Sequence, residues 1–215
     1  MSVLNRIEHL LPEEIEKRSF EIISQELESK KIKLPKEEEM ITKRVIHTSA
    51  DFDYTKTLTY SGNAVKIAKE LILNGADIVT DTNMALAGIN KKMLARFGGK
   101  VHCFMADEEV ARLAKERGTT RASISMEMAS KLPKPVIFAI GNAPTALIRL
   151  YEIIQNGTWR PAFVIGVPVG FVNVEIAKEL IMETDVPYIV NRGRKGGSNI
   201  AAAICNALIY ELGRS

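Results

Sequence analysis

The sequence predicts an α/β protein: an open, mostly parallel sheet with helices on both faces, preceded by a helical N-terminal segment. Three observations carry this. From Gly75 onward, short apolar runs alternate five times with stretches of helical spacing. The runs are apolar nearly throughout instead of alternating with polar residues, as strands covered on both faces are. The first sixty residues are charged and carry helical spacing only. Repeated strand–helix order sets the strands parallel with right-handed crossovers. No linker or low-complexity stretch divides the 215 residues, so residues 1–215 read as one domain, with 1–60 as the helical segment and 61–215 as the βα core.

The elements follow in order. Pro12-Glu13-Glu14 opens a first helix, because proline suits a first turn and acids favour the positive end of the helix dipole. Pro35-Lys36-Glu37-Glu38-Glu39 repeats the pattern and opens a second helix that runs toward His47. No strand is evident before Gly75. Residues 76–80 form the first strand, and Asp81-Thr82-Asn83 caps a helix through about Phe97. Residues 101–105 form the second strand, with Asp107 capping a helix to about Arg117. Residues 136–140 form the third, and Gly141-Asn142-Ala143-Pro144-Thr145 leads a helix to Gln155. Residues 162–166 form the fourth, followed by a helix from near Asn173 to Met182. Residues 187–190 form the fifth, and Ser198 to Leu212 is the last helix.

Bulk composition excludes several function classes. A net charge of +3 with no long basic run, and only 6% aromatic residues, gives no basis for nucleic-acid binding. No apolar run reaches the ~18–20 residues of a membrane span. The N-terminal stretch MSVLNRIEHLLPEEIEKRSF has acids too early for a signal peptide, so a cytoplasmic location is expected. Cys103 and Cys205 are far apart in apolar surroundings and read as buried thiols. No cluster of His, Cys or acids has metal-ligand spacing.

Open parallel sheets bind ligands at the carboxyl ends of their strands, so the loops after the strands hold the candidate site. Gly193-Arg194-Lys195-Gly196-Gly197-Ser198, with Arg192 before it, joins glycines, cations and a helix start, and reads as a pocket for an anion. It matches neither the phosphate-binding GxxxxGK[ST] loop nor the dinucleotide GxGxxG fingerprint. Gly166-Val167-Pro168-Val169-Gly170-Phe171 is a rigid apolar loop, either a buried turn or a wall for a flat hydrophobic ligand. Asn142 lies at a helix start, and Thr82 and Asn83 at another. Arg121, after Gly118-Thr119-Thr120, is a second anion contact or a surface charge. Ser19, beside Phe20, is a possible border of the ligand. His47 lies between Lys43-Arg44 and Asp51/Asp53. It is either a solvated helix end or an acid–base residue tuned by its charged neighbours. His102, in an apolar strand, and His9, in a charged helix, read as structural.

Taken together, the segments RVIHTSADFDY, IVTDTNM, AIGNAPTAL, VIGVPVGFV and NRGRKGGSNIAAA resemble the precorrin-8X methylmutase family of corrin biosynthesis. Their order matches from SFEII at Ser19 to the last helix. The resemblance implies migration of a methyl group from C-11 to C-12 of precorrin-8X or cobalt-precorrin-8, giving hydrogenobyrinate or cobyrinate. It implies a corrinoid substrate, no added cofactor, and a homodimer with active sites near the subunit interface. It sets the catalytic histidine on His47 and a carboxylate contact on Thr120 and Arg121. The substrate-binding loop falls on residues 192–198, with Arg192, Arg194, Gly196, Gly197 and Ser198. One departure follows the GFV motif: Asn173 to Lys178 replaces small residues and an acid-serine-lysine run, which puts ligand contacts from that helix start in doubt. Two other readings remain: a tetrapyrrole carrier without turnover, and a nucleotide-dependent oxidoreductase, which the missing glycine fingerprint disfavours.

Overall fold

A computed structural model describes residues 6–213; residues 1–5 and 214–215, including the first five of the N-terminal stretch considered above, lie outside the described residues. Helix α1 (Pro12–Ser29) starts with proline in its first turn, and the Leu11 N–H donates to the Glu14 carboxylate at 3.1 Å. His9 precedes this helix and is exposed, so the helical placement expected for it is corrected. Helix α2 (Glu39–Ser49) begins four residues later than Pro35, because residues 36–38 form a separate turn. It ends at Ala50, which is left-handed with φ 54°. Ile23 and Leu27 of α1 pack on Ile46 of α2, while Ile41 and Val45 of α2 face the main core.

After the short α3 (Tyr54–Thr57) comes β1 (Leu58–Tyr60). This strand was not expected. Three residues are too few to show a period, and β1 exists through antiparallel pairing with the last strand. Helix α4 (Ala64–Leu73) follows, also unforeseen, and then the parallel core: β2 (Asp77–Thr80), α5 (Asn83–Gly88), α6 (Lys91–Leu94), β3 (Val101–His102), α7 (Glu108–Glu116), α8 (Arg121–Ala129), β4 (Val136–Ile140), α9 (Pro144–Gln155), β5 (Phe163–Gly166), α10 (Val174–Met182), β6 (Tyr188–Asn191) and α11 (Ser198–Gly213). The single helix expected through Phe97 is broken at Ile89-Asn90. Asn90 begins a new cap, accepting from the Met93 N–H at 3.0 Å, while its own N–H is taken by Asn206. Strand β3 stops at His102, since only two of its residues pair with β2.

The sheet order is β1-β6-β5-β4-β2-β3, parallel except for β1. Side chains of β4 alternate between two cores. Ile137 and Ala139 join the core under α11, α4 and α2; Val136, Phe138 and Ile140 join the core under α8, α9 and α10. Helix α11 is buried along most of its length, which its alanine-rich sequence permits by letting neighbours approach closely. No described helix is long and apolar enough to cross a membrane.

Chain direction across the sheet reverses between β2 and β4. Such a reversal opens a crevice at the carboxyl ends of the two strands. Gly141, at the end of β4, lies so close to the start of α11 that an added Cβ would come within 2.7 Å of the Gly197 carbonyl oxygen and of Ser198 Cα. Gly141→Ala is therefore expected to push the β4 and β6 loops apart and to lower stability by about 1–3 kcal/mol, the usual range for overpacking. Urea unfolding of the variant measures this.

Candidate active site

The crevice between β2 and β4 is filled by the protein itself. Asp81, 0% exposed, accepts the Gly141, Asn142 and Ala143 N–H groups at 2.9, 2.8 and 2.6 Å. Burial pushes its carboxyl above the ordinary range, against the pull of the three donors. Asp81 thus supplies the anion that a helix start such as that of α9 attracts. The backbone of Asn142 is committed to this clamp, while its side chain is exposed. Thr82 caps α5 by accepting the Ala85 N–H, and its hydroxyl meets Ser198 Oγ at 2.8 Å. Thr82, Asn142, Gly197 and Ser198 are thereby brought together. Asn83 opens α5 with an exposed side chain.

The basic loop 192–197 is held from three sides. From below comes Lys178, 0% exposed, whose Nζ donates to the Gly193 and Lys195 carbonyls at 2.6 and 2.9 Å. Burial lowers its amine from 10.5 to about 8. At the base of the loop, the Asn191 amide donates to the Lys195 carbonyl at 2.8 Å, and Asn191 Oδ1 accepts from Thr57 at 2.7 Å. On the third side, Lys195 Nζ lies 2.6 Å from both Asp51 Oδ2 and Asp53 Oδ2. Gly196 presses on the β5–α10 loop: an added Cβ would fall 2.1 Å from the Val167 carbonyl oxygen. The side chains of Arg192 and Arg194 are exposed, paired with Glu179 at 3.6 Å and Glu175 at 2.8 Å on α10. Arg194 also lies 5.5 Å from the centre of the Phe171 ring. The β5–α10 loop is a buried turn at Val167 but an apolar projection beyond it, with Phe171 82% and Val172 79% exposed.

His47 sits in the last turn of α2, exposed, with its ring stacked on Phe20 at 5.4 Å between centroids. Neither of its ring nitrogens has a protein partner among the described residues. The acids that the sequence sets beside it, Asp51 and Asp53, bond Lys195 instead, which holds the Asp51 carboxyl below its ordinary range. One turn back on the same helix lies Arg44, which sequence reasoning treated only as a neighbouring charge. It is 8% exposed, paired with Glu16 at 2.8 Å, and placed over the rings of Phe20 and Tyr210 at 4.8 and 5.4 Å. Its Nε is buried without a hydrogen-bond partner. Phe20, Ser24, Met40, Lys43 and Arg44 line an open groove of about 940 Å³ between α1 and α2. The spacing of Arg44 and His47, three residues apart on one helix, was the available signal.

Thr120 caps α8 through the Ser123 N–H and bonds Thr145 of α9 at 3.1 Å. Arg121, the first residue of α8, is exposed, and its guanidinium forms no ion pair among the described residues. The structure does not bring Ser19 to the loops: its hydroxyl donates to the Ile15 carbonyl within α1. His102 is a structural partner of the buried Asp77, at 2.9 Å. Cys205 is buried and Cys103 half-buried, both free, with burial pushing the Cys205 thiol up to about 12. Among the described residues no group of His, Cys, Asp and Glu could hold a metal ion.

The lowered amine of Lys178 has a stability consequence. Between about pH 8 and 10.5 the unfolded chain holds its proton there while the folded chain releases it. The unfolded state then binds more protons, so this residue's contribution to stability rises with pH across that window. Urea unfolding of the wild type and of Lys178→Met at pH 7.5 and pH 10 is expected to show the difference moving in the wild type's favour at the higher pH.

The sequence model of the family described as precorrin-8X methylmutase matches residues 14–211. The cobalt-precorrin-8 methylmutase of Salmonella typhimurium is 44% identical over 206 residues, covering 94% of this chain and 96% of its own. That of Priestia megaterium is 41% identical, covering 92% and 87%. The crystal structure of precorrin-8X methylmutase from Thermus thermophilus superposes with a TM-score of 0.84 at 38% identity, covering 94% of this chain and 98% of that one. The chain belongs to the precorrin-8X methylmutase family.

Proposed function

We propose that this protein is an isomerase of cobalamin biosynthesis, which moves a methyl group from C-11 to C-12 of a precorrin-8 macrocycle. The observation that carries the reading is a histidine with both ring nitrogens open, on the same helix face as a buried arginine, in a chain of this family. The carbon–carbon bond at C-11 breaks as that at C-12 forms, the double bonds shift, and no atom is gained or lost. Such a rearrangement on a conjugated ring needs no nucleophile. A proton donated by His47 to a ring nitrogen draws electrons from the accepting carbon and returns to the histidine afterwards. General-acid help of this kind is worth about 10²–10⁴-fold. Phe20 beneath the imidazole holds the ring's plane.

Carboxylates around the macrocycle are assigned to Arg121, Arg192 and Arg194, and the apolar projection of Val172 and Phe171 to the flat ring. The substrate proposed is the cobalt-containing form, the activity named for the Salmonella typhimurium and Priestia megaterium relatives. Incubation with cobalt-precorrin-8 and with metal-free precorrin-8X, followed by absorbance, tests this; a bound but unchanged spectrum with both would favour the carrier reading. The active form proposed is a homodimer, in which a second copy covers exposed Leu11, Ile15 and Ile22 on α1 and closes the groove. Sedimentation at assay concentration is expected to find dimer, and a fully active monomer would remove the closure.

His47→Asn is expected to lower turnover about 10²–10⁴-fold while product still binds. Near-normal turnover would reassign the acid. Arg121→Ala is expected to raise the product Kd about ten- to a hundredfold, as loss of a charge-assisted pair does; an unchanged Kd would exclude it from the carboxylate contacts.

A further inference from the structure

The basic loop is polarised, and one buried side chain makes it so. The carbonyls of residues 192–195 all accept hydrogen bonds from within the fold. Those of Gly193 and Lys195 bond Lys178 Nζ, that of Arg194 bonds the Gly170 N–H at 3.2 Å, and those of Arg192 and Lys195 bond the Asn191 amide at 3.2 and 2.8 Å. The N–H groups of residues 193–196, by contrast, have no protein acceptor among the described residues. The loop's acceptors are thus committed to the fold and its donors remain for something else. Lys178 bonds the carbonyls on either side of Arg194, and Gly193, at φ 75°, supplies the turn between Arg192 and Arg194.

A donor here satisfies the Gly193 and Lys195 carbonyls, but a neutral donor could do so without burying a charge. An ammonium that is 0% exposed carries a desolvation penalty, and Lys178 forms no ion pair among the described residues to offset it. An apolar side chain of similar length would occupy the space without that penalty. What the apolar residue would not do is hold two carbonyls, two residues apart, toward one point. Charge-assisted bonds from the amine fix the backbone on both sides of an exposed arginine.

We propose that Lys178 is a positioning residue for substrate binding. It holds loop 192–197 in the shape that offers Arg192, Arg194 and the free N–H groups to carboxylates of the macrocycle, without touching the substrate. This rests on the reading of that loop as a carboxylate site given above. It also gives a role to the helix after the GFV motif, where the sequence departs from its family. Residues Glu175 and Lys178 serve the loop rather than the ligand.

The test compares Lys178→Met, Lys178→Gln, Arg192→Ala, Arg194→Ala and the double variant Lys178→Met/Arg194→Ala, each checked for folding by circular dichroism. Affinity is read by absorbance titration with cobyrinate, and turnover with cobalt-precorrin-8. Lys178→Met is expected to raise KM and the product Kd about tenfold or more, the scale of one lost charge-assisted pair, with kcat at saturation within about twofold. Lys178→Gln, which keeps a donor for one carbonyl, is expected to fall between it and the wild type, and decides the matter if the methionine variant does not fold. The double variant is expected to bind little worse than Lys178→Met, because both changes remove the same contact. A lowered kcat with KM and Kd unchanged, or fully additive effects in the double variant, would overturn the positioning role. If Arg192→Ala and Arg194→Ala leave Kd unchanged, the loop is not a carboxylate site and the reading beneath the proposal fails. If they raise it while both Lys178 variants do not, the proposal fails alone.

Discussion

Three backbone N–H groups converge on the Asp81 carboxylate, 0% exposed, where the strand order reverses, and the carboxyl edge of the sheet is assembled around that contact. In an open parallel sheet this crevice is the natural seat of a ligand, and the start of the following helix is a natural seat for an anion. Here the chain supplies the anion. Burial opposes the charge and the donors favour it, so the carboxylate is tolerable only while all three bonds are made. The bond from Thr82 to Ser198 extends the clamp from β2 and β4 to the start of α11. A rigid, self-filled crevice leaves substrate binding to the surfaces around it.

Those surfaces divide their charges by burial. Lys178 and Asp81 are buried and bond backbone groups, so they set the positions of loops. Arg192 and Arg194 are more than half exposed and bond Glu179 and Glu175, which are exposed as well. Exposed pairs of this kind contribute about 0–1 kcal/mol. A carboxylate arriving on a large ligand can replace such a glutamate at little loss. Lys195 is intermediate in role: its bonds to Asp51 and Asp53 connect the loop to the chain just beyond His47. These exposed pairs place the loop beside the end of the histidine's helix.

What the sequence made legible follows from how local each cause is. Strand β4 has the span expected, residues 136–140, because a strand covered on both faces is apolar at every position. Strand β1 was invisible because its cause is a partner 130 residues away. The break at Asn90 depends on Asn206 of α11, again remote. Asp81-Thr82-Asn83 read as a helix cap, which Thr82 makes, while the reach of Asp81 to the loop sixty residues on was not legible. Sequence reasoning gave Lys178 no role of its own, since no local pattern announces that the loop after β6 folds over it. His47 and the loop residues were legible through a resemblance carried by several motifs in one order, whereas Arg44 shows its burial only once α1 and α11 are in place.

In the reaction proposed, the neighbourhood of His47 lets a single imidazole suffice. A methyl shift within one molecule has no second reactant to position and no leaving group to expel. The protein has to hold one flat ring and deliver one proton. Arg44 and His47 occupy successive turns of α2, with Phe20 against both, so the guanidinium and the imidazole share one aromatic support. The support restricts the histidine's ring plane, and the arginine's position is fixed from the other side by Tyr210. A proton donor held this way meets its acceptor in few orientations, which is the entropic part of catalysis. The groove beside it is walled by α1 and α2 but open outward. Water has access there until something covers it, and a charge on its wall, such as that of Arg44, acts more strongly as water leaves. Closure of that wall is therefore coupled to the proposed chemistry through Arg44, which lines the groove one turn from His47.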